Sequence, residues 1–143
     1  MLISTKGRYA LRVMVDIAEH PTDGYIPLKE IAARQDISEK YLESIIKLLV
    51  RAGLLSGLRG KGGGYKLTRS PEDYTVREIL QLTEDSLAPV HCLEEGAAPC
   101  QRAPECRTVA LWQGLDRVIT EYLEGITIAD LTRSGDAGNN YVI

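Results

Sequence analysis

The sequence predicts a mainly α fold with one small β-hairpin, and three observations carry that expectation. Apolar residues recur at helical spacing in three successive segments between residues 5 and 52. Two short extended runs then flank a five-residue tip, Gly60-Lys61-Gly62-Gly63-Gly64. Near the C-terminus, residues 107–124 carry a broad apolar stripe, again at helical spacing.

The first helix is expected over 5–20, with Tyr9, Ala10, Val13, Met14, Ile17 and Ala18 on its apolar face. Ser4 or Thr5 would cap its start, and His20-Pro21 and Asp23-Gly24 would end it. A short helix over 27–34 follows, with Pro27 suited to its first position. After the turn Gln35-Asp36-Ile37, Ser38 caps a third helix running to Ala52, and Gly53 closes it. Leu54–Arg59 and Tyr65–Thr68 are the extended runs of the hairpin. Thr75 and Glu78 have the spacing of a capping box, which opens a helix to about Thr83.

Residues 84–105 are irregular and hold Pro89, Gly96, Pro99 and Pro104. A loop of that length in a small domain is usually functional or flexible. The helix over 107–124 comes next, then one further turn at Thr127–Leu131 and a tail expected to be flexible. The expected units are a domain over 1–83, a cysteine-bearing loop over 84–106, a helix with its return over 107–132, and the tail over 133–143.

Composition narrows the function. The chain has 143 residues, 44% hydrophobic and 26% charged, which suits one globular domain with a real core. No apolar run is long enough for a membrane-spanning helix. Lys6, Arg8, Arg12 and Asp16 interrupt the stretch that a signal peptide would need, so a cytoplasmic location is expected. The formal net charge of −3 argues against a nucleic-acid ligand only until it is divided. Residues 1–70 hold 12 Lys and Arg against 7 Asp and Glu, whereas residues 71–143 hold 5 against 13. The first half is an anion-binding candidate and the second has another task.

Helix, short helix, turn, helix and glycine-tipped hairpin is the order of a winged helix-turn-helix, a double-stranded DNA reader. The third helix would enter the major groove from Ser38. Ser38, Lys40, Tyr41, Glu43 and Lys47 are its candidate contacts, Glu43 as an acceptor from a cytosine amino group or as a repellent of wrong sites. Arg59, Gly60 and Lys61 are those of the hairpin, where glycine permits close backbone approach and arginine suits a narrow minor groove. The glycine run is no phosphate loop of the nucleotide-binding kind, because it enters a strand rather than a helix. No catalytic constellation stands out, so an enzyme is not expected.

All three cysteines, Cys92, Cys100 and Cys106, fall within 15 residues of polar loop. Seven residues separate the first pair and five the second, which does not match the tight pairs of zinc ribbons. Soft thiolates on a loop suit an iron–sulfur cluster, one donor short of the usual four. Leu111, Trp112, Leu115, Val118, Ile119 and Tyr122 form the stripe of the long helix, a candidate homodimer seam.

Longer matches point to a family. Ser4-Thr5-Lys6-Gly7-Arg8-Tyr9-Ala10, Ile37-Ser38 with Tyr41-Leu42-Glu43, Ala52-Gly53-Leu54, and Arg59-Gly60 with Gly62-Gly63-Gly64-Tyr65 are four of them. With the loop cysteines, Ala110-Leu111-Trp112 and Ile126-Thr127-Ile128, they resemble the iron–sulfur cluster regulator (IscR) type of winged-helix transcriptional repressor. Relatives of that type include nitric-oxide sensors (NsrR) and cysteine-metabolism repressors (CymR). The resemblance covers residues 1–132. It implies a homodimeric bacterial regulator whose operator binding answers to a cluster on the three cysteines, with 2Fe–2S favoured over 4Fe–4S. It implies control of iron–sulfur cluster biogenesis genes, with nitric oxide, redox state or cysteine status as the alternative signal. The family's fourth ligands do not carry over. Val109 stands where IscR-like members place a histidine, and Arg8 where nitric-oxide sensors place a carboxylate. His91 and Glu43 are the candidates that remain.

Overall fold

The computed structural model describes residues 1–133, so the tail expected to be flexible lies, beyond Arg133, outside the described residues. The fold is mainly α with one two-stranded antiparallel sheet. Its elements are α1 (Thr5–Glu19), α2 (Leu28–Gln35), α3 (Glu39–Arg51), β1 (Leu55–Leu58), β2 (Gly64–Leu67), α4 (Val76–Thr83), α5 (Val109–Glu124) and α6 (Ile128–Leu131). Single 3-10 turns occupy Pro71–Asp73, His91–Leu93 and Ala103–Glu105.

The caps follow the sequence closely. Ser4 and Ser38 each accept a backbone N–H of the first turn, Gly7 at 3.0 Å and Tyr41 at 3.2 Å. Thr75 accepts the Glu78 N–H at 3.1 Å, but Glu78 does not return the bond. Its carboxylate pairs instead with Arg69 at 2.8 Å. The reciprocal capping box sits at α6, between Thr127 and Asp130.

The core lies where α1, α2 and α3 meet. Ala10, Val13, Met14, Ile31, Leu42, Ile45, Ile46 and Leu49 are fully buried there. The C-terminal return is part of the same core: Ile128 is fully buried in it. Backbone bonds from Val76 N–H to the Ile126 carbonyl (2.9 Å) and from Ile128 N–H to the Tyr74 carbonyl (3.0 Å) fasten it. A smaller cluster of Val76, Leu80 and Leu87 receives Leu123 and Ile126 and seats the end of α5 on α4. Asp16 is buried in the helical core, where its carboxylate receives two hydrogen-bonding arms of Arg34 and the Gln35 amide.

The hairpin pairs Leu55 with Leu67 and Leu58 with Gly64. It is wider than its two strands, because Ile26 and Tyr65 exchange both backbone hydrogen bonds, at 2.9 and 2.8 Å. Its base is held by Tyr74, whose buried hydroxyl accepts the Thr68 and Arg69 N–H groups and donates to the Leu54 carbonyl. Removing that oxygen leaves three backbone groups to find other partners. Tyr74→Phe is expected to lower stability by about 1–3 kcal/mol, and urea unfolding checks it.

Candidate nucleic-acid interface and cysteine loop

α3 buries Leu42, Ile45, Ile46 and Leu49 and so turns Lys40, Glu43, Ser44 and Lys47 to solvent. That follows from the 3.6-residue period, which gives one helix an apolar and a polar face. Ser38 caps the helix, and Ser44 is turned back to donate to the Tyr41 carbonyl at 2.6 Å. Tyr41 is half-buried, its ring edge-on to Tyr9 of α1 at 5.8 Å. Arg12 covers the Tyr9 ring at 4.9 Å and also bonds Gln35 at 3.1 Å. Sequence reasoning missed this stack, which ties the first turn of α3 to α1 and α2.

The hairpin stands beside α3. Glu43, Ile46, Lys47, Val50, Arg51, Leu58, Arg59 and Tyr65 line one groove between them. Arg59 also borders a second groove with Pro27, Leu28 and Lys29 at the start of α2. Arg59, Gly60 and Lys61 are all exposed on the tip. Two of the sequence-named cations, Lys47 of the helix and Arg59 of the hairpin, therefore line adjoining grooves together with Arg51 and Lys29, while Lys40 and Lys61 are exposed outside them. Arg51 and Lys29 were legible only as surface charges. The geometry suits a duplex, with a helix for the major groove and a cationic, glycine-lined tip for the backbone or minor groove.

The cysteine loop leaves α4 at Glu84. That carboxylate caps the start of α1 from outside, accepting the Ser4 N–H and, at 2.6 Å, the Ser4 hydroxyl. Gly7 allows the approach, since a Cβ there would lie 3.0 Å from Thr83 Oγ1 and 3.1 Å from Glu84 Oε2. Partial burial pushes the Glu84 carboxyl up, but the Ser4 and Thr83 groups and the charge of Lys6 outweigh it and hold the carboxyl below its ordinary range. A carboxyl lowered in the folded state adds stability above its unfolded pKa and loses it as the pH falls through the folded value. Glu84→Gln is expected to be less stable than the parent at pH 7 and equal to it in strong acid. Thermal melts across that range check this.

Cys92 lies in the turn His91–Leu93 and Cys106 directly after the turn Ala103–Glu105. Cys92 and Cys100 are exposed, Cys106 is half-buried, and all three are free thiols. The Thr108 hydroxyl, 3.6 Å from Cys106 Sγ, lowers that thiol, helped by the Thr108 and Val109 N–H groups at the start of α5 and opposed by burial. His91 Nδ1 meets Glu94 at 3.1 Å, with 86% of the His91 side chain exposed. Among the described residues no three His, Cys, Asp or Glu side chains are gathered as a metal-holding group. The donor chemistry nevertheless fits an iron–sulfur cluster: three soft thiols outside any disulfide, one of them lowered below its ordinary range, on one loop. Glu43 lies on the groove of α3 and the hairpin, and His91 on the cysteine loop itself.

α5 has no fully buried residue. Leu111, Leu115, Val118 and Tyr122 are exposed, by 60%, 40%, 61% and 60%, at the 4-3-4 spacing of a helix seam. Trp112 and Ile119 are half-buried on the neighbouring side. Among the described residues no helix is long and apolar enough to cross a membrane.

Comparison with known proteins agrees with this geometry. The family model described as Rrf2, iron-dependent transcriptional regulator, matches residues 3–134. The HTH-type transcriptional regulator IscR of Photobacterium profundum is 38% identical over 136 residues, 95% of this chain and 78% of that protein. Among solved structures, CymR, the global cysteine regulator of B. subtilis, superposes with a TM-score of 0.75 at 33% identity, covering 97% of this chain and 99% of that one. T. potens IscR superposes at 0.72 with 34% identity, covering 99% and 94%.

Proposed function

The chain belongs to the Rrf2 family of transcriptional regulators, and on that premise we propose that it is a homodimeric, cytoplasmic repressor controlled by an iron–sulfur cluster. It is an IscR-like regulator and not an enzyme. The observation that carries the cluster reading is the confinement of every cysteine to one polar loop between α4 and α5, all three as free thiols. Cys92, Cys100 and Cys106 would hold the group, with His91 or Glu43 as fourth donor. A 2Fe–2S cluster is favoured over 4Fe–4S, and cluster biogenesis genes are the proposed targets. When bound, the cluster supplies a redox- and iron-dependent change of charge and ligation on the loop.

The chain's own residues connect the loop to the proposed DNA contacts. At one end the loop continues from Glu84, which grips the start of α1, and α1 holds Tyr41 through Tyr9. At the other end it continues into α5, whose exposed stripe is the proposed seam with a second copy. Moving either end alters how two copies of α3 present themselves to half-sites about 34 Å apart. Ser38, Lys40, Tyr41, Glu43, Lys47, Arg59, Gly60 and Lys61 are the proposed contacts. The proposed units are the reader over 1–83, the loop over 84–106, and the helix with its return over 107–132.

Anaerobically purified protein is expected to be coloured and to contain iron and acid-labile sulfide. Alanine at any one cysteine should abolish both without unfolding the chain, and should change operator affinity. Colourless, iron-free protein after reconstitution overturns the cluster reading. The likeness to a cysteine regulator and the lowered Cys106 thiol favour a second reading, a regulator whose thiols answer to oxidants without metal. Reversible oxidation that changes DNA affinity in iron-free protein distinguishes it.

A further inference from the structure

The groove between α3 and the hairpin holds an ion pair. Lys47 Nζ lies 3.8 Å from Glu43 Oε1, one helical turn away, with side chains 69% and 51% exposed. Such an exposed pair adds little to folding. It adds little to phosphate attraction either, since opposite charges this close nearly cancel at the distance of a phosphate. Arg51 and Arg59, the other cations of the groove, have no carboxylate at ion-pair distance among the described residues. Lys47 is thus the cation of this groove least suited to sequence-independent binding.

Building on the assignment of α3 to the major groove, we propose that Lys47 reads a base edge rather than a phosphate. It donates to guanine O6 and N7 in the base pair whose cytosine N4–H is accepted by Glu43. In a C·G pair that amino group and O6 are hydrogen-bonded to each other, so they sit about 3 Å apart on the groove edge. The acceptor and donor of the Glu43–Lys47 pair are 3.8 Å apart, in complementary order. Inverting the base pair sets donor against donor and acceptor against acceptor. An A·T pair keeps the order but offers Lys47 a single thymine acceptor beside a methyl group, where guanine offers two. The carboxylate also keeps Lys47 from a phosphate, because any phosphate that attracts the ammonium repels its neighbour. One ion pair thereby reads both the composition and the direction of one base pair in each half-site.

The test is selection of duplexes from a pool of randomised sequence by the full chain, both anaerobically purified and iron-depleted, beside Lys47→Ala and Glu43→Gln. The parent is expected to select a C·G pair, in one direction, at one position of each half-site. Lys47→Ala should relax that position by about 10- to 100-fold and leave the other positions alone. Glu43→Gln should weaken the same position. A uniform loss of affinity over all sequences with a shallower salt dependence makes Lys47 a phosphate contact and overturns the proposal. Unchanged preferences in Lys47→Ala overturn it too. A parent chain that enriches no sequence in either state overturns the assignment of α3 as the reader, and this proposal with it.

Discussion

Arg34→Ala is expected to destabilise the fold by about 3–5 kcal/mol, and Asp16→Asn by only about 1–3 kcal/mol, although both break the same ion pair. The difference comes from where each partner is left. The Asp16 side chain has no solvent exposure, whereas that of Arg34 is 30% exposed. Arg34 reaches it through Nη2 at 2.7 Å and Nε at 3.0 Å, and Gln35 Nε2 adds a third donor at 2.8 Å. Without Arg34 the carboxylate keeps its burial and loses its counter-charge, the costly case for an ion pair. Without the carboxylate the guanidinium has water within reach of its long stem, and an asparagine oxygen still accepts from Gln35. Urea unfolding of the two variants and the double variant checks this. Equal losses, or a larger loss in Asp16→Asn, would mean that Asp16 is not held as a buried anion. The consequence reaches the candidate DNA face, because Gln35 also bonds Arg12, which covers the ring of Tyr9 beside Tyr41.

Helix starts and apolar faces were legible because both are local. A serine or threonine ahead of a 3.6-residue apolar period is read within one turn, and Ser4, Ser38 and Thr75 all cap as expected. What depends on distant partners was not. Glu78 has the spacing of a capping-box carboxylate but is drawn to Arg69, nine residues back in sequence. The turn after α5 reads as part of the unit over 107–132, yet Ile128 is fully buried and joins the core of residues 1–83. The Ile26–Tyr65 pairing joins a loop residue to a strand 39 positions on, and no pattern near Ile26 announces it.

The candidate interface was legible in proportion to its exposure. Lys40, Glu43, Lys47, Arg59 and Lys61 follow from periodicity and from the glycine run; the fold exposes all five and brings Glu43, Lys47 and Arg59 to one groove. The supports behind that interface are a half-buried Tyr9, an exposed Arg12 laid over its ring and a buried Tyr74, and their partners lie on other elements, where no local pattern announces them. For the cysteines, spacing marks a candidate soft donor set, but among the described residues the loop does not gather them into a metal-holding group, which spacing alone could not foretell.

Gly64→Ala is expected to cost DNA affinity about 100-fold or more, the equivalent of about 3 kcal/mol of hairpin contacts, while leaving the helical core folded. The reason is a single close approach. Gly64 has φ +146°, and a Cβ built on it would lie 2.1 Å from the Ile26 carbonyl oxygen. That oxygen accepts the Tyr65 N–H at 2.8 Å, so the strand cannot move away without giving up the bond that positions the hairpin. Both the strain and the clash act on the backbone, and no rotamer change relieves them. Gly62 is the control on the same tip. It has φ +76° but nothing within 4 Å of its built Cβ, so Gly62→Ala carries only the left-handed cost of about 1–2 kcal/mol. Because the tip is exposed and carries Arg59 and Lys61, the two variants separate the seating of the hairpin from the shape of its end. Binding isotherms at matched salt, with circular dichroism to confirm the helices, check the pair of values. A Gly64→Ala protein that binds its operator like the parent would show that the hairpin works without its bond to Ile26. DNA recognition would then rest on α3 alone.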